Sequence, residues 1–268
     1  MQHKKINSEL DNKLAAFWLG KPRNFYNAYD YALFWKKRKY EDQADQLAVR
    51  RLMKKISLPH LQIIDIGGGL GRMTHLYEKD WDHAILLDPS ITQLNLAKKN
   101  VLHANKVEFI EGSVEEIPLS RASCDTALCI RTFHYVEDYH GALKEIRRVL
   151  MPHGYLILEI PNKVHIKARI ISLFSRNSIS SRESISRSKQ DHDILFLNHH
   201  PSAIRDELFN EWFEIIEMLS VSNFRSTFFK KVIPLPILLF LEKILQRPLA
   251  LIWFGPSIYF LARKRDME

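Results

Sequence analysis

LQIIDIGGGLG, residues 61–71, decides the fold. A short apolar run that ends in a cluster of glycines reads as a buried parallel strand entering a strand-to-helix turn. Four of the chain's nine glycines, Gly67, Gly68, Gly69 and Gly71, stand in this one stretch. Glycine lets the backbone adopt conformations closed to other residues and lets a ligand approach it closely. So scarce a residue, gathered at one turn, points to a ligand held against the main chain.

On either side the pattern alternates. Upstream, Leu47, Leu52, Ile56 and Leu58 are spaced as a helix from Tyr40, with Pro59 closing it. Downstream, strands are expected at 84–87, 107–110, 126–130 and 155–160. Helices are expected over SITQLNLAKKNVL, with Ser90 as N-cap, and from Tyr139 to Leu150. A helix at 202–210, a strand at 213–218 and a last strand in PSIYFLARK follow. Strands separated by helices imply βαβ units. The expected fold is an α/β, Rossmann-like, doubly wound, mostly parallel seven-stranded sheet with helices on both faces. Residues 1–59 form an aromatic and basic N-terminal cap segment, and 60–268 the main domain.

Two segments depart from this alternation. Residues 172–192 hold eight serines between Ser172 and Ser188, interleaved with Arg176, Arg182, Arg187 and Lys189. So little apolar content reads as a mobile solvated loop or as a basic lid. Residues 228–262 are apolar, with four of the eleven prolines between Pro234 and Pro256, which argues against one long helix. This element is expected to cover the sheet, line an apolar pocket or touch a membrane surface, where Lys230, Lys231, Lys243 and Arg247 would suit it.

Composition narrows the classes. With 268 residues, 46% hydrophobic and 26% charged, the chain can bury a substantial core without metals or disulfides. Lys and Arg number 39 against 31 Asp and Glu, a net charge of +8 that suggests nucleic acid, an anionic membrane or a phosphorylated substrate. The basic residues are scattered, so a generally basic surface fits as well. Cys124 and Cys129 make neither a disulfide framework nor a zinc site. They read as core thiols on opposite faces of a strand, in a reducing cytoplasm. The first residues, MQHKKINSELDNK, lack the apolar centre of a secretory signal. The longest apolar run, Val232 to Leu241, is too short to span a bilayer.

The glycine stretch excludes two nucleotide motifs. A dinucleotide fingerprint starting at Gly67 finds Arg72 where its third glycine belongs, and no Gly-Lys-Ser/Thr follows for a P-loop. Asp65, two residues before the first glycine, suits a ligand carrying an ammonium group better than a pyrophosphate.

At this point the chain resembles the class I S-adenosylmethionine-dependent methyltransferases, in particular the type 11 domain of quinone-biosynthesis-like enzymes. The resemblance covers about residues 35–161 and rests on motifs in the family's order. IIDIGGGLG is similar to the family's first motif, which wraps the methionine part of S-adenosylmethionine. AILLDPS places Asp88, followed by Pro89, where the family's acid meets the ribose hydroxyls. EGSVEEIP puts Ser113 and Val114 beside the adenine, and CDTALCIRTFHYVED lays Ile130 against the cofactor. ALKEIRRVLMPHGYLIL resembles the family's helix, turn and fifth strand. Arg38, in WKKRKYED, stands where a basic residue of similar enzymes reaches the cofactor carboxylate. The resemblance implies S-adenosylhomocysteine as product. Two departures stand out: Ser113 replaces a usual acid, and His153 a usual glycine.

The residues alone leave other readings open. Asp65 also suits a cap of the glycine turn, Asp88 a helix start, Ser113 a loop position and Arg38 a solvated helix charge. Methyl transfer from a sulfonium is an in-line displacement that needs chiefly proximity, with a general base for some acceptors. Among His134, Tyr135, His192, His199 and His200, His134 is the candidate base, because it lies just beyond the fourth strand at the ligand-binding edge; the same position also suits a cleft-wall or core residue. His199-His200-Pro201 reads as a turn and helix cap, and no metal site is expected. The favoured function is methyl transfer to a small-molecule or lipid-like acceptor, with peripheral membrane contact at most. A nucleic-acid methyltransferase ranks lower, because CIRTFHY lacks the Asn/Asp-Pro-Pro-aromatic element of base-amino methylation. A cofactor-binding regulatory protein without turnover is the third reading.

Overall fold

The computed structural model describes residues 31–174, 181–186 and 196–266. Residues 1–30, most of the Ser/Arg-rich stretch and His192 lie outside the described residues. The apolar runs become seven strands: β1 Gln62–Ile66, β2 His83–Asp88, β3 Val107–Glu111, β4 Cys124–Cys129, β5 Leu150–Pro161, β6 Phe213–Val221 and β7 Ser257–Lys264. They lie side by side in the order β3-β2-β1-β4-β5-β7-β6. Strands β1 to β5 pair in parallel, and β7 is antiparallel to both β5 and β6. This is the doubly wound sheet expected from the alternation. Strand order reverses on either side of β1, and open α/β sheets bind ligands at such a switch point, beyond the strands' carboxyl ends.

The helices are α1 Tyr31–Lys36, α2 Lys39–Met53, α3 Ile91–Asn100, α4 Tyr139–Val149, α5 Ile166–Phe174, α6 Pro201–Asn210, α7 Thr227–Val232 and α8 Leu235–Ala250. Alternate residues of each strand feed two cores. Ile63, Leu86, Leu128, Ile157 and Leu261 pack with Ala44, Ala48 and Leu52 of α2, Leu94 of α3 and Leu238 of α8. Ile64, Ile85, Leu156, Leu158 and Phe260 pack with Leu143 and Ile146 of α4 and Ile204 and Leu208 of α6. Each such Leu or Ile contributes roughly 1.5–3 kcal/mol by leaving water, which holds helices to both faces of the sheet.

Caps follow the sequence closely. The Ser90 hydroxyl accepts the Gln93 N–H at 3.3 Å at the head of α3. His200 caps α6 by accepting the Ser202 N–H, with Pro201 in the first turn where its missing N–H costs nothing.

Several expectations are corrected. Helix α2 ends at Met53, well before Pro59, and β5 begins at Leu150 rather than Tyr155. His153 takes a left-handed backbone, φ 61°, so it occupies a glycine's conformation as well as a glycine's place. Cys124 and Cys129 are both buried and enter the same apolar cluster. The C-terminal element is, as expected, not one long helix: it divides into α7, α8 and β7. The chain breaks at Ile233-Pro234, but α8 then runs 16 residues with Pro236 in its first turn and Pro248 in its last. A proline costs no donor in the first turn, as at Pro236, whereas Pro248 lies inside the helix and removes one hydrogen bond near its end without stopping it. Finally, the glycine turn leads into a single 3-10 turn, Thr74–Leu76, rather than a full helix. The chain from Arg72 to Asp82 must return across the sheet to start β2, and buried Tyr77 and Trp81 pin it on the way.

Candidate cofactor site

The site grows from the carboxyl end of β1. There the N–H groups of Gly67 and Gly68 both donate to the Leu87 carbonyl, at 2.8 and 3.2 Å, tying the turn to the end of β2. Gly67, Gly69 and Gly71 have φ of 69°, 54° and 77°, the left-handed region that suits glycine. A Cβ on Gly67 would lie 2.1 Å from the Thr132 hydroxyl oxygen, and one on Gly68 2.7 Å from Leu86 Cγ. Gly69 differs: a Cβ there would meet only Asp88 Oδ2, at 3.8 Å. The space before Gly69 is therefore open, bounded by a carboxylate.

Asp88 ends β2 and is nearly buried. Its Oδ2 accepts the Gly69 N–H and its Oδ1 the Ser90 N–H, each at 2.9 Å. Burial pushes its carboxyl up to about 6, against the lowering effect of those two hydrogen bonds. Each oxygen keeps a further lone pair for a hydroxyl donor. The Gly112 N–H donates to the Asp88 carbonyl at 3.2 Å, which brings Ser113 and buried Val114 beside the same strand end. Pro89 separates Asp88 from the Ser90 cap.

Asp65 lies deeper. Burial, and to a lesser degree the neighbouring Asp88, push its carboxyl up to about 7, although the Tyr77 hydroxyl donates to it at 2.8 Å and Arg72 opposes the rise. A carboxyl so placed binds a proton readily and has strong affinity for an arriving cation. The missing helix after the loop matters here too, because no helix dipole is presented to a pyrophosphate.

Arg38 and Ile130 have separate settings. Ile130 is buried against the α2 side of the sheet. The Arg38 guanidinium lies over the Phe34 ring, 4.2 Å from its centroid, at the head of α2. The arginine joining α2 to the glycine turn is instead Arg72, which binds Asp42 at 2.7 Å and Asp45 at 3.2 Å beneath the Trp35 ring.

His134 sits in the turn Phe133–Tyr135 after β4, buried between Tyr135 and Phe196, with ring centroids at 3.9 and 4.5 Å. Burial, with Arg131 and His199 nearby, drives its pKa down to about 3. The ring is therefore neutral at physiological pH and a weak proton acceptor. His199 is structural: its Nε2 meets the Phe133 carbonyl at 3.0 Å, so its Nδ1 accepts from the Ser184 hydroxyl at 2.9 Å.

A charged cluster at this edge escaped the sequence reading. Arg131, the second residue past β4 with φ 60°, reaches both Asp45 oxygens, at 3.1 and 2.7 Å, and Glu159 Oε1 at 3.2 Å. Its Nη1 also donates to the Ser257 hydroxyl at 2.8 Å. Burial raises Asp45, but Arg131 and Arg72 outweigh it and hold the carboxyl below its ordinary value. Burial, with Asp45 adding to it, leaves Glu159 above its ordinary value. One signal was available, an acid inside the apolar run YLILEIP, since buried charges need partners. Among the described residues, no group of three or more His, Cys, Asp or Glu side chains is placed to hold a metal ion.

At the carboxyl edge of the 3-2-1-4-5-7-6 sheet, the glycine turn thus opens toward the carboxylate that ends β2. The Methyltransferase domain family model matches residues 64–158. A demethylmenaquinone methyltransferase of Chlamydia caviae is 34% identical over 101 residues, 37% of this chain and 44% of that enzyme. The matched stretch thus spans about half the length of the first curated relatives. The ubiquinone/menaquinone biosynthesis C-methyltransferase UbiE of Campylobacter jejuni is 30% identical over 192 residues, 65% of this chain and 80% of that enzyme. Among solved structures, the 1,6-didemethyltoxoflavin-N1-methyltransferase of Burkholderia thailandensis, with 1,6-didemethyltoxoflavin and S-adenosylhomocysteine bound, shares the fold at TM-score 0.57 and 16% identity, covering 97% of this chain and 90% of its own. The chain belongs to the class I S-adenosylmethionine-dependent methyltransferases. The residues present fit that family's cofactor, because the cradle before Gly69 has both the space and the adjoining acceptor that a ribose needs.

Proposed function

We propose that this chain transfers a methyl group from S-adenosylmethionine to a small-molecule or lipid-like acceptor, with peripheral contact to a membrane. The observation that carries this reading is the pairing of Asp88 with Gly69 across an otherwise open cradle. In it Asp88 accepts the ribose hydroxyls, Asp65 faces the ammonium group, and Gly67, Gly68, Gly69 and Gly71 let the methionine part pass close to the backbone. Ser113 and Val114 flank the adenine, Ile130 closes the inner wall and Pro89 fixes the turn after Asp88; Arg38 serves the cofactor carboxylate only by leaving the Phe34 ring on which it stacks. Bound S-adenosylmethionine supplies a methyl group already activated by its sulfonium. The protein's remaining task is to hold the acceptor in line and exclude water, and such proximity contributes several kcal/mol. His134, held neutral and weakly basic, forms an apolar-aromatic wall for the acceptor rather than taking its proton. Curated relatives named for demethylmenaquinone and for ubiquinone/menaquinone biosynthesis support an acceptor with lipid-like character.

Calorimetric titration with S-adenosylhomocysteine tests this, repeated on Asp88→Ala. Saturable binding by the native chain, weakened at least about tenfold by the loss of one charge-assisted acceptor, is expected. No binding by the native chain, or equal binding by the variant, refutes the assignment.

A further inference from the structure

Helix α8 packs Leu235, Leu238 and Leu239 on the core yet leaves a second apolar stripe uncovered. Its buried stripe is Leu238, Glu242, Gln246 and Ala250, half of it polar, whereas Ile237, Phe240 and Ile244 face solvent at 51%, 61% and 52% exposure. The orientation is locked. Glu242 accepts from the Tyr40 hydroxyl at 2.5 Å, the Ser222 N–H at 2.8 Å and the Asn223 N–H at 3.1 Å, and Gln246 donates to the Ala44 carbonyl at 3.3 Å. Rotating the helix to hide its apolar stripe would break this network, so the exposure belongs to the fold. Phe228 and Val232 of α7 extend the apolar surface.

Lysines frame it. A cavity of about 330 Å³ opens where α2 begins beside α7 and α8, with Lys36, Lys37, Lys39 and Lys230 around a floor that includes Ile233 and Leu238. Glu41 offsets Lys230 at 2.8 Å, whereas Lys231 of α7 and Lys243 of α8 are exposed on the helices that carry the stripe. β6 runs parallel to β1–β5, since β7 is antiparallel to both β5 and β6, so Ser222 and the α7 that follows lie at the carboxyl edge, as do the glycine turn and Asp88. An exposed apolar stripe bordered by lysines is complementary to one kind of surface, a bilayer carrying anionic phospholipid. Among the described residues no helix is long and apolar enough to cross a membrane, so the contact lies in the plane of the interface.

We propose that α7, α8 and the lysines at the head of α2 form a docking face for an anionic phospholipid bilayer, which turns the carboxyl-edge cleft toward the membrane. Ile237 and Phe240 enter the headgroup–acyl boundary, and the lysine cavity receives phosphate headgroups. Docking is read without turnover, so it stands or falls separately from the methyl-transfer reading.

The test is flotation of the full chain with phosphatidylcholine vesicles, with and without phosphatidylglycerol, at low and high salt. Ile237→Glu/Phe240→Glu and Lys36→Gln/Lys37→Gln follow, with thermal melting and S-adenosylhomocysteine titration confirming that each variant is folded. Binding is expected only with phosphatidylglycerol and is lost at high salt. The lysine variant weakens it by roughly fivefold per lysine, and the glutamate variant abolishes it. Equal partitioning to both vesicle types, or undiminished binding by the folded glutamate variant, overturns the proposal. So does a dimer in vesicle-free solution that Ile237→Glu/Phe240→Glu dissolves, which would assign the stripe to a second copy of the chain.

Discussion

Arg131 and Asp45 stand 86 residues apart in sequence and meet in a two-point ion pair, Nη2 to Oδ1 at 2.7 Å and Nε to Oδ2 at 3.1 Å. The pair fastens α2 to the end of β4, and Arg131 also holds Glu159 of β5. Both carboxylates are fully buried, so each depends on this guanidinium for compensation.

Arg131→Met should therefore destabilise the protein by about 3–5 kcal/mol, because it leaves two buried acids without their main cation. Urea unfolding monitored by circular dichroism checks this. A loss below about 1 kcal/mol would mean that Arg72 and water suffice to hold Asp45 and Glu159.

Gly67→Ala and Gly69→Ala should separate folding from binding. Both place a side chain in the left-handed region, at roughly 1–2 kcal/mol. Only the first also collides with Thr132, at 2.1 Å, whereas a methyl on Gly69 enters open space beside Asp88. Thermal melts should show Gly67→Ala much the less stable. Gly69→Ala should fold and lose S-adenosylhomocysteine affinity. Normal affinity in a folded Gly69→Ala would remove that space from the cofactor site.

Asp65 predicts a proton linkage. Its folded pKa, about 7, lies above the unfolded carboxylate value, so the folded state holds more protons in between. Stability from this group is complete below about pH 4 and is lost as pH rises toward 7, with Asp88 adding the same trend up to about 6. Asp65→Asn should flatten that slope in unfolding experiments between these limits. An ammonium group arriving beside Asp65 lowers its pKa, so S-adenosylhomocysteine binding near neutral pH should release a proton. Calorimetry in buffers of different ionisation enthalpy reads the release, and a buffer-independent enthalpy would place the ammonium elsewhere.

His134 should not shape the pH–rate profile. With its pKa near 3, no inflection from this ring is expected above about pH 5. His134→Phe should keep turnover within a few-fold. A fall of about a hundredfold or more, with binding intact, would restore His134 as the proton acceptor.

The fold was legible where physics is local. LQIIDIGGGLG had to be a buried strand and a tight turn, because its apolar run has no polar face to offer water and its glycines match left-handed conformations at 67, 69 and 71. Ser90, Pro201 and the terminal strand could be placed for the same reason, since caps and strand periodicity act within a few residues. The resemblance to known methyltransferases pointed to Asp88, Ser113 and Val114, and the structure sets Asp65 in β1 and Asp88 at the end of β2, on neighbouring parallel strands.

What the tertiary structure alone decided involves partners far apart in the chain. The orientation of α8 could not be read from its residues, because hydrophobicity would bury Ile237 and Phe240, whereas Glu242 faces inward to meet Tyr40, some 200 positions earlier. Arg131 finds its partners only where α2 and β5 bring Asp45 and Glu159 to it. His134 was a base by residue type and edge position, yet the aromatic rings and cation around it make it a poor one. Sequence determines what each segment can form. Burial and charge pairing between distant segments set proton affinity, helix rotation and exposed surface, because those energies exist only once the segments meet.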